Sequence, residues 1–555
     1  MRVLGLGGSD HDVASCIVQD GKIVSAIEDE RISRYKYAIG SNLLYGLSRK
    51  YCYEKLNISP KDIDKIIIDD ILVETAYFGI KKFKKIDHHL AHAASSFFPS
   101  PFNEAALLVI DNAGSLIEKD GEYGIQTISY GIGSKTNIKL FQSNLGKNYD
   151  EARLGTLNKV YQRGDSDDSI GHFYKIISGC IGFRFFDKNG YFYPEAGKTM
   201  GLAPYGDNRY YDELSKYVKY EKNGIVKANL TDGKLKHTVD KIIEEDGKNG
   251  NEFICKASIA WACQKICEES ILFCANYLYE KTKLKKLCYS GGVALNCVAN
   301  KKILDETPFE EVFLFPACGD NGTAIGCAYY GYFEENDRDV SNYQLAMPSF
   351  GKKYSDLEIE ETIKSYPFEW SKSDNVAQEA AKYIADGKIV AWYQGGSEFG
   401  PRALGHRSIL ADPRNKNIKD ILNYKVKFRE GFRPFAPAIL ENKVEEYFEE
   451  KIKSPYMLMT ATVKKEKQNK VPGIVHIDGT ARLQTVTKTE NGKFANLIEE
   501  FERLTGVPIV VNTSFNIKGE PICETPRDAL ECFKKTGIDV LCLEEYIIIN
   551  DLSES

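Results

Sequence analysis

Residues 2–29, "RVLGLGGSDHDVASCIVQDGKIVSAIED", decide the fold class of this chain. An apolar strand, "RVLGLGG", leads into the polar turn "SDHD". Two further apolar runs, "SCIVQ" and "KIVSAIED", are joined by Asp20-Gly21, a dipeptide typical of tight β-hairpins. The stretch therefore predicts three consecutive strands, with charged side chains at the end of the first.

Strands alternate with helices further along the chain. Residues 104–114, "EAALLVIDNAG", and residues 286–296, "KLCYSGGVALN", have the pattern of buried strands that end in glycine-containing turns. Residues 257–281 have the pattern of a long amphipathic helix. This alternation favours an α/β architecture, in which ligand sites lie at the ends of the strands.

The composition changes after Tyr332. Residues 333–356, "FEENDRDVSNYQLAMPSFGKKYSD", are polar and carry no clear period, so they are typical of a linker with a boundary near residue 345. A second α/β region then begins with a predicted helix, "NVAQEAAKYIADG", and a predicted strand, "KIVAWYQ". We therefore predict two domains, 1–345 and 346–555.

Bulk properties exclude several classes of protein. A chain of 555 residues is too long for one ordinary core. No apolar run approaches the ~20 residues that span a bilayer, and the start "MRVLGLGGSDHD" lacks a signal-peptide pattern, so we expect a cytoplasmic protein. The net charge of −6 argues against a nucleic-acid binder. The 14 cysteines include no C-x-x-C pair, which excludes ribbon-type zinc sites.

Three of the eight histidines lie within five residues, in "HHLAHAASS". If this stretch is helical, His88 and His92 are one turn apart on one face, where two imidazoles can share a metal ion. The zinc-peptidase pattern would place a glutamate after the first histidine, but the chain has His89 there, which disfavours a peptidase. A small-residue helix packed on a sheet is the structural alternative, and the pair alone does not decide.

Two aspartates could complete such a site. Asp111 ends the run "ALLVID" and Asp320 lies in "CGDNG", where strand ends could converge. With His88 and His92 they would form a set of nitrogen and oxygen ligands that suits iron, zinc or manganese. The turns "SGGVALN" and "PACGDNGTAIG" are typical of phosphate-binding helix starts, although neither matches the dinucleotide or P-loop pattern.

Arginine is uncommon in this chain, yet it concentrates in the second region. Only 17 of the 73 basic residues are arginine. Five of these lie within 32 residues, namely Arg402, Arg407, Arg414, Arg429 and Arg433. The planar guanidinium can bind phosphate or carboxylate through two hydrogen bonds, which lysine cannot do. We therefore predict an anion site in this stretch.

Neighbouring loops carry compatible chemistry. "GGSEFGPRALGHRS" is rich in glycine, and "KFREGFRPFAP" alternates basic and aromatic residues. The segments "GTARLQT" and "VVNTSFNIKGEP" add the hydrogen-bonding side chains of Arg482, Asn512, Ser514 and Asn516. A solvated surface with ordinary turns is the alternative, but four loops with the same polar character favour a binding site.

Taken in order, these motifs resemble the antibiotic and nodulation-factor O-carbamoyltransferases, the nebramycin synthase and nodulation U family. The resemblance runs nearly end to end. It rests on "GGSDHDVASCIVQDGKIVSAIEDERISRYKY", "DHHLAHAASSFF", "GKTMGLAPYGD", "SGGVALN", "FPACGDNGTAIG", "GPRALGHRSILADPR", "KFREGFRPFAP", "DGTARLQTV" and "NTSFNIKGEPI".

The resemblance implies an N-terminal actin-like ATPase domain, similar to the universal tRNA threonylcarbamoyladenosine protein, and a C-terminal YrdC/Sua5-like α/β domain. The C-terminal domain would make carbamoyl adenylate from carbamoyl phosphate and ATP. The residues that the resemblance assigns to carbamoyl phosphate are Arg402, Lys427, Arg433, Arg482, Asn512, Ser514 and Asn516.

The N-terminal domain would then transfer the carbamoyl group to a hydroxyl of a sugar, glycan precursor or antibiotic-like compound. The resemblance implies that His11, with Asp12 beside it, is the general base that takes the proton from the acceptor hydroxyl. It implies one divalent metal, Fe(II) first and zinc or manganese as alternatives, on His88, His92, Asp111 and Asp320. The implied nucleotide contacts are Lys36, Gly291, Gly292 and Asn296, and ATP would bring Mg²⁺. We expect no membrane or nucleic-acid partner and allow for a homodimer.

The chain departs from the family pattern at one point. After Asp111 it has "DNAGS" where the family usually has "DG.GE", so we expect a loop shaped for a different acceptor. A tRNA threonylcarbamoyladenosine-type enzyme is the nearest alternative, and the acidic pI of 5.9 argues against it. A hydrogenase-maturation carbamoyltransferase should add Cys-pair zinc fingers. A non-catalytic nucleotide sensor is an alternative from another class, which the intact His, Asp and Arg sets disfavour.

Overall fold

The chain forms two compact units. The computed structural model describes residues 1–38, 46–119, 121–147, 166–186, 192–230, 232–247, 250–339 and 347–550. Residues 1–24 and 39–345 make up the first unit, and residues 25–38 and 346–555 make up the second. The boundary predicted near residue 345 lies outside the described residues.

The strands from the first part of the chain form two larger sheets and two hairpins. They are β1 (Arg2–Gly7), β2 (Ala14–Gln19), β3 (Lys22–Glu28), β4 (Lys65–Asp69), β5 (Lys84–Ile86), β6 (Glu104–Ile110), β7 (Leu116–Lys119), β8 (Glu122–Ser134), β9 (Asn137–Gly146), β10 (Arg184–Phe186), β11 (Phe192–Pro194), β12 (Val218–Glu221), β13 (Ile225–Ala228), β14 (Lys286–Ser290) and β15 (Glu311–Phe313). The strand orders are β3-β2-β1-β4-β5 and β15-β14-β6-β8-β7, with β9 paired to β8. Both sheets are mixed, since β1 pairs antiparallel with β2 and parallel with β4, and β6 pairs parallel with β14 and antiparallel with β8.

The second unit is built on a nine-stranded sheet. Its strands are β16 (Glu369–Lys372), β17 (Val390–Tyr393), β18 (Arg407–Ala411), β19 (Ala436–Leu440), β20 (Met459–Thr462), β21 (Thr480–Val486), β22 (Ile509–Ser514), β23 (Val540–Leu543) and β24 (Tyr546–Ile549). Their order is β16-β24-β23-β17-β18-β22-β19-β21-β20. Parallel and antiparallel pairs mix here as well, so both units have a mixed α/β fold.

Helices surround these sheets. They are α1 (Asp29–Ser33), α2 (Leu47–Leu56), α3 (His88–Phe97), α4 (Ile170–Cys180), α5 (Ala196–Leu202), α6 (Tyr211–Leu214), α7 (Lys234–Ile242), α8 (Glu252–Thr282), α9 (Cys297–Glu306), α10 (Thr323–Phe333), α11 (Asp356–Lys364), α12 (Val376–Ala385), α13 (Ile418–Leu422), α14 (Val444–Tyr447), α15 (Lys465–Gln468), α16 (Gly492–Thr505) and α17 (Pro526–Lys534). Within the described ranges, none of them combines the length and the apolar character that a bilayer crossing requires.

The elements predicted from sequence are present. The opening stretch forms β1 and the hairpin β2–β3, and the histidine-rich stretch is the helix α3. The predicted helix 257–281 begins five residues earlier, as α8, because the Asn251 side chain accepts hydrogen bonds from the N–H groups of Phe253 and Ile254. An asparagine that caps in this way satisfies the free donors of the first helical turn.

Two glycines let α10 approach its neighbours closely, and this packing positions the ends of β1 and α3. A Cβ on Gly5 of β1 would lie 2.1 Å from the carbonyl oxygen of Ala324, and a Cβ on Gly326 would lie 1.8 Å from that of Ala91. Any side chain at either position would therefore push α10 away. The contact brings Asp320, just before α10, beside the histidines of α3.

Candidate active site

The two histidines one turn apart on α3 face each other in a buried site. His88 and His92 are both 0% exposed, and their Nε2 atoms are 3.1 Å apart. The helix begins at His88 because the Asp87 carboxylate accepts the N–H of Leu90 at 2.8 Å. The predicted helical spacing of the pair is therefore present.

Two aspartates from separate elements complete the group. Asp111 follows β6, and Asp320 begins a short 3₁₀ helix before α10. The Asp111 Oδ2 atom is 3.4 Å from His88 Nε2, and the Asp320 Oδ1 atom is 3.8 Å from the Nε2 atoms of both histidines. One ligand atom from each of the four residues lies within 4.8 Å of the others, which makes the group a possible metal site.

Neighbouring groups hold the outer atom of three of these side chains. His88 Nδ1 lies 2.7 Å from a carboxylate oxygen of Asp69, Asp111 Oδ1 accepts the N–H of Gly292 at 2.9 Å, and Asp320 Oδ2 accepts the hydroxyl of Ser9 at 2.9 Å. These bonds leave His88 Nε2, Asp111 Oδ2 and Asp320 Oδ1 facing the centre of the group. Partners of this kind fix the orientation of metal ligands in proteins, so the residues present fit a divalent ion.

The charge balance of the site is negative. Burial opposes a charged imidazolium, but Asp69, Asp111 and Asp320 outweigh it and raise the pKa of His88 well above its usual value. The cluster therefore attracts positive charge, as a proton on His88 or as a metal ion.

His11 and Asp12 lie in the turn that follows β1. The His11 side chain is 17% exposed, and its Nδ1 atom is 2.9 Å from Asp12 Oδ2. Asp12 has a φ of +55°, in the left-handed region that few residues other than glycine adopt. Burial lowers the pKa of His11, but Asp12 and then Asp320 outweigh it and raise the pKa. Ser9, which donates its N–H to the His11 carbonyl at 3.0 Å and its hydroxyl to Asp320 at 2.9 Å, connects this turn to the candidate metal site.

The predicted nucleotide contacts separate into two groups. Gly291, with a φ of +97°, and Gly292 lie against the end of β6, where a Cβ on Gly291 would be 2.2 Å from the Ile110 carbonyl oxygen. The Asn296 side chain caps α9 by accepting the Ala299 N–H at 3.2 Å. Lys36 belongs instead to the second unit, in the 3₁₀ helix Lys36–Ala38.

A buried polar group beside Asn296 was missed from sequence. The Gln264 amide donates to Glu268 at 2.8 Å and to Asn296 at 3.1 Å, and Tyr174 donates to Gln264 at 2.9 Å. Lys302 forms an ion pair with Glu268 at 2.7 Å. The available signal was two polar residues four apart on a mostly apolar stretch of α8.

In the second unit, Lys427 joins the two predicted side chains of the "TSFN" loop. Its ammonium donates to the carbonyl oxygen of Ser514, to the carbonyl oxygen of Asn516 at 3.0 Å and to Asn516 Oδ1 at 2.8 Å. The Ser514 hydroxyl donates to the same Asn516 Oδ1 atom at 2.7 Å. Lys427, Ser514 and Asn516 therefore form one connected cluster.

Three arginines add like charge to this cluster. Burial, then Arg429 and Arg433, lower the pKa of Lys427 to about 7. Burial, then Arg433 and Arg482, lower the pKa of Arg429 well below its usual value. Such shifts arise when positive groups are close together and poorly solvated. An anion bound here would relieve the repulsion, which is the chemistry that the sequence predicted for this stretch.

Two arginines of the sequence cluster, neither of them among the residues predicted to bind carbamoyl phosphate, have other partners. Arg407 is fully buried, stacks 3.4 Å above the Tyr393 ring and donates to main-chain carbonyls, among them that of Gly395 at 3.0 Å. Arg414 is held by the Asp412 carboxylate at 2.6 Å. Composition shows where arginines concentrate, but it cannot show which of them already have partners.

Arg402 and Asn512 lie around the same sheet. Arg402 is in the loop between β17 and β18. Asn512, on β22, is fully buried, and its amide donates to the Ala403 carbonyl at 3.2 Å and to Gln484 at 2.8 Å. Asn512 therefore fixes the residue that follows Arg402.

Asp69 and Ser9 are site residues that sequence reasoning missed. Asp69 ends the buried strand β4, just as Asp111 follows the buried strand β6, so the same signal could have found it. Ser9 lies in the turn "SDHD", in which only His11 and Asp12 are predicted site residues.

The family models match both parts of the chain. Residues 2–78 and 77–329 match the carbamoyltransferase N-terminus, and residues 381–550 match the carbamoyltransferase C-terminus. The chain belongs to the carbamoyltransferase family and is an enzyme of carbamoyl transfer.

Relatives extend over nearly the whole chain. An uncharacterized protein of Synechocystis sp. is 32% identical, covering 99% of this chain and 96% of its own. The nodulation protein NolNO of Sinorhizobium fredii is 32% identical, covering 97% of this chain and 79% of its own. Among solved structures, T. kodakarensis HypF shares 16% identity with a TM-score of 0.40, covering 60% of this chain and 47% of that one.

Proposed function

We propose that this carbamoyltransferase is ATP-dependent, makes carbamoyl adenylate in its second unit and transfers the carbamoyl group to a hydroxyl in its first. In this proposal the first unit is an actin-like ATPase domain and the second is YrdC-like. The acceptor is a small molecule such as a sugar, a glycan precursor or an antibiotic-like compound.

The observation that carries the proposal is the positive cluster of the second unit. Beside the polar loop of Ser514 and Asn516, burial with Arg429 and Arg433 lowers the pKa of Lys427, and burial with Arg433 and Arg482 lowers the pKa of Arg429. The planar guanidinium group of arginine can donate two parallel hydrogen bonds to phosphate oxygens. Four cations around two hydrogen-bonding side chains would hold carbamoyl phosphate together with the phosphates of a nucleotide.

The chemistry of the second unit would run in two steps. Water cleaves carbamoyl phosphate to carbamate and inorganic phosphate, and a carbamate oxygen then attacks the α-phosphorus of ATP. Pyrophosphate leaves, and the product is the mixed anhydride carbamoyl adenylate. The cations of the cluster would stabilise the negative charge that builds on the phosphoryl oxygens.

The first unit would complete the transfer. The acceptor hydroxyl attacks the carbamoyl carbon, its proton passes to His11, and AMP leaves. Asp12 orients His11 through the 2.9 Å contact at Nδ1. His88, His92, Asp111 and Asp320 would hold the divalent metal, which supplies Lewis-acid stabilisation of oxygen when bound.

The test is the product balance. The protein with ATP and carbamoyl phosphate should release pyrophosphate and phosphate, and AMP once an acceptor is added, all measurable by ion-exchange chromatography. Release of ADP without AMP would exclude the adenylate route. Mass spectrometry of candidate hydroxyl compounds, scored for a carbamoyl addition, would identify the acceptor.

A further inference from the structure

Residues 25–38, here called the inserted segment, come from the first part of the chain but belong to the second unit. The segment contains the end of β3, the short helix α1 and the 3₁₀ helix Lys36–Ala38. Nothing in the sequence patterns predicted this, because the polar linker near residue 345 suggested one boundary. Charged side chains of the segment form hydrogen bonds to the rest of the second unit.

The first contact holds both the backbone N–H and the carbonyl group of Gly400. Glu28 accepts the N–H of Gly400 at 2.7 Å, and Arg31 donates to the Gly400 carbonyl at 2.6 Å. Gly400 has a φ of +107°, a conformation open to glycine, and it precedes Pro401 and Arg402. Arg31 is 1% exposed, so this clamp is a buried one.

The second contact fixes the turn that follows Asn516. Arg34 donates to the Ile522 carbonyl at 2.7 Å and to the Pro521 carbonyl at 2.9 Å, and it lies 3.6 Å from the Asp528 carboxylate. The residue before that pair, Glu520, gives its carbonyl oxygen to the Asn516 amide at 2.6 Å.

That last bond decides which way the Asn516 side chain faces. With its NH₂ group held by Glu520, Asn516 presents Oδ1 to Lys427 at 2.8 Å and to the Ser514 hydroxyl at 2.7 Å. A displaced turn would release the amide, and Lys427 would lose one of its oxygens. The inserted segment is therefore connected to the anion cluster through a short series of hydrogen bonds.

We propose that the inserted segment is a positioning element for the anion site of the second unit, with Arg34 as the positioning residue that orients Asn516. The inference rests on the proposed role of that site in binding phosphorylated ligands. Its consequence is that residues 346–555 alone do not form a complete anion site.

The test measures binding of inorganic phosphate to the full chain by calorimetry. Arg34→Ala should raise the Kd by about tenfold, since releasing Asn516 removes the charge-assisted hydrogen bond between Lys427 and Asn516 Oδ1 from the cluster. Arg34→Lys keeps the charge near Asp528 but not the fork over two carbonyls, so its Kd should also rise, by a smaller factor. Arg503→Ala is the matched control, because Arg503 is 59% exposed and pairs with Glu500 on the surface of α16.

A double-mutant cycle separates positioning from general destabilisation. If Arg34 acts through Asn516, Arg34→Ala should weaken binding less than about twofold on an Asn516→Ala background. An equal increase in Kd from Arg34→Ala in the wild-type and the Asn516→Ala proteins would overturn the proposal. An unchanged Kd in either folded Arg34 variant would overturn it as well. Arg34→Lys gives the answer if Arg34→Ala does not fold.

The same titration distinguishes this inference from the proposed function. Wild-type protein that binds phosphate but shows no exchange of pyrophosphate into ATP with carbamoyl phosphate would count against the adenylate route alone. Wild-type protein that binds no phosphate would overturn the inserted segment's role as well.

Discussion

The two charged clusters of this enzyme are built in opposite ways. In the first unit, two imidazoles lie among carboxylates, and the pKa of His88 is raised well above its usual value by Asp69 and its neighbours despite burial. In the second unit, Lys427 and Arg429 lie among cations, and burial with those cations lowers the pKa of both. Each cluster therefore carries an excess of one charge.

The difference indicates what each cluster binds. A buried excess of negative charge is stabilised by a cation, and a buried excess of positive charge by an anion. The first cluster also has its outer atoms fixed by Asp69, Gly292 and Ser9, as metal ligands require. The second cluster has a loop with the Ser514 hydroxyl and the Asn516 amide, hydrogen-bonding groups of the kind that phosphate sites require. The comparison leads to three experiments.

The largest effect should come from His92→Ala. This variant removes one of two imidazoles whose Nε2 atoms are 3.1 Å apart, so the protein should lose the divalent metal proposed for this site. Carbamoyl transfer should fall by about 10⁴, the scale of losing a Lewis acid worth several kcal/mol. Elemental analysis and a transfer assay measure the two losses, and His237→Ala, at an exposed position, is the control.

A wild-type protein free of metal after gentle purification, and not activated by iron, zinc or manganese, would break the comparison. The histidine pair would then have the structural role of a packed helix face.

A pair of variants should separate the two units by reaction step. His11→Ala should reduce transfer by roughly 10² to 10⁴, the contribution of a general base, and leave pyrophosphate release largely intact. Arg482→Ala should stop adenylate formation while supplied carbamoyl adenylate is still used. Pyrophosphate release and product formation are assayed separately for each variant. Equal loss of both steps in folded His11→Ala protein would mean one composite site.

Much of the fold was predictable because local patterns determine it. The hairpin at Asp20-Gly21, the helix α3 and the strand β6 all follow from periodicity and turn residues, which tertiary context did not override. The grouping of residues 25–38 with the second unit was not predictable. It depends on hydrogen bonds from Arg31 and Arg34 to carbonyl groups several hundred residues away in the sequence. No local pattern predicts such a contact.

The candidate site was predictable as a list of residues and less so as an arrangement. His88, His92, Asp111 and Asp320 do come together, since His88 begins α3 with His92 one turn later, Asp111 follows β6 and Asp320 lies just before α10. Sequence counted Arg407 only as one of five clustered arginines, because its stacking on Tyr393 and its bonds to main-chain carbonyls depend on the sheet order. Sequence counted Arg429 only as one of five arginines, and its position beside Lys427, Arg433 and Arg482 depends on the fold.

The smallest effect tests the second cluster by pH. Burial and neighbouring arginines give Lys427 a pKa of about 7, so its charge changes between pH 6 and pH 8. Sulfate keeps a constant charge over that range and needs the protonated ammonium, so its Kd should rise by about tenfold from pH 6 to pH 8. Lys427→Met should bind more weakly and lose the slope, whereas Lys425→Met, at an exposed position, should keep it. A flat wild-type profile would mean that the oxygens of Ser514 and Asn516 keep Lys427 charged above pH 8. A slope that survives in Lys427→Met would assign the titration to another group, and the repulsion among the cations would then not control anion binding.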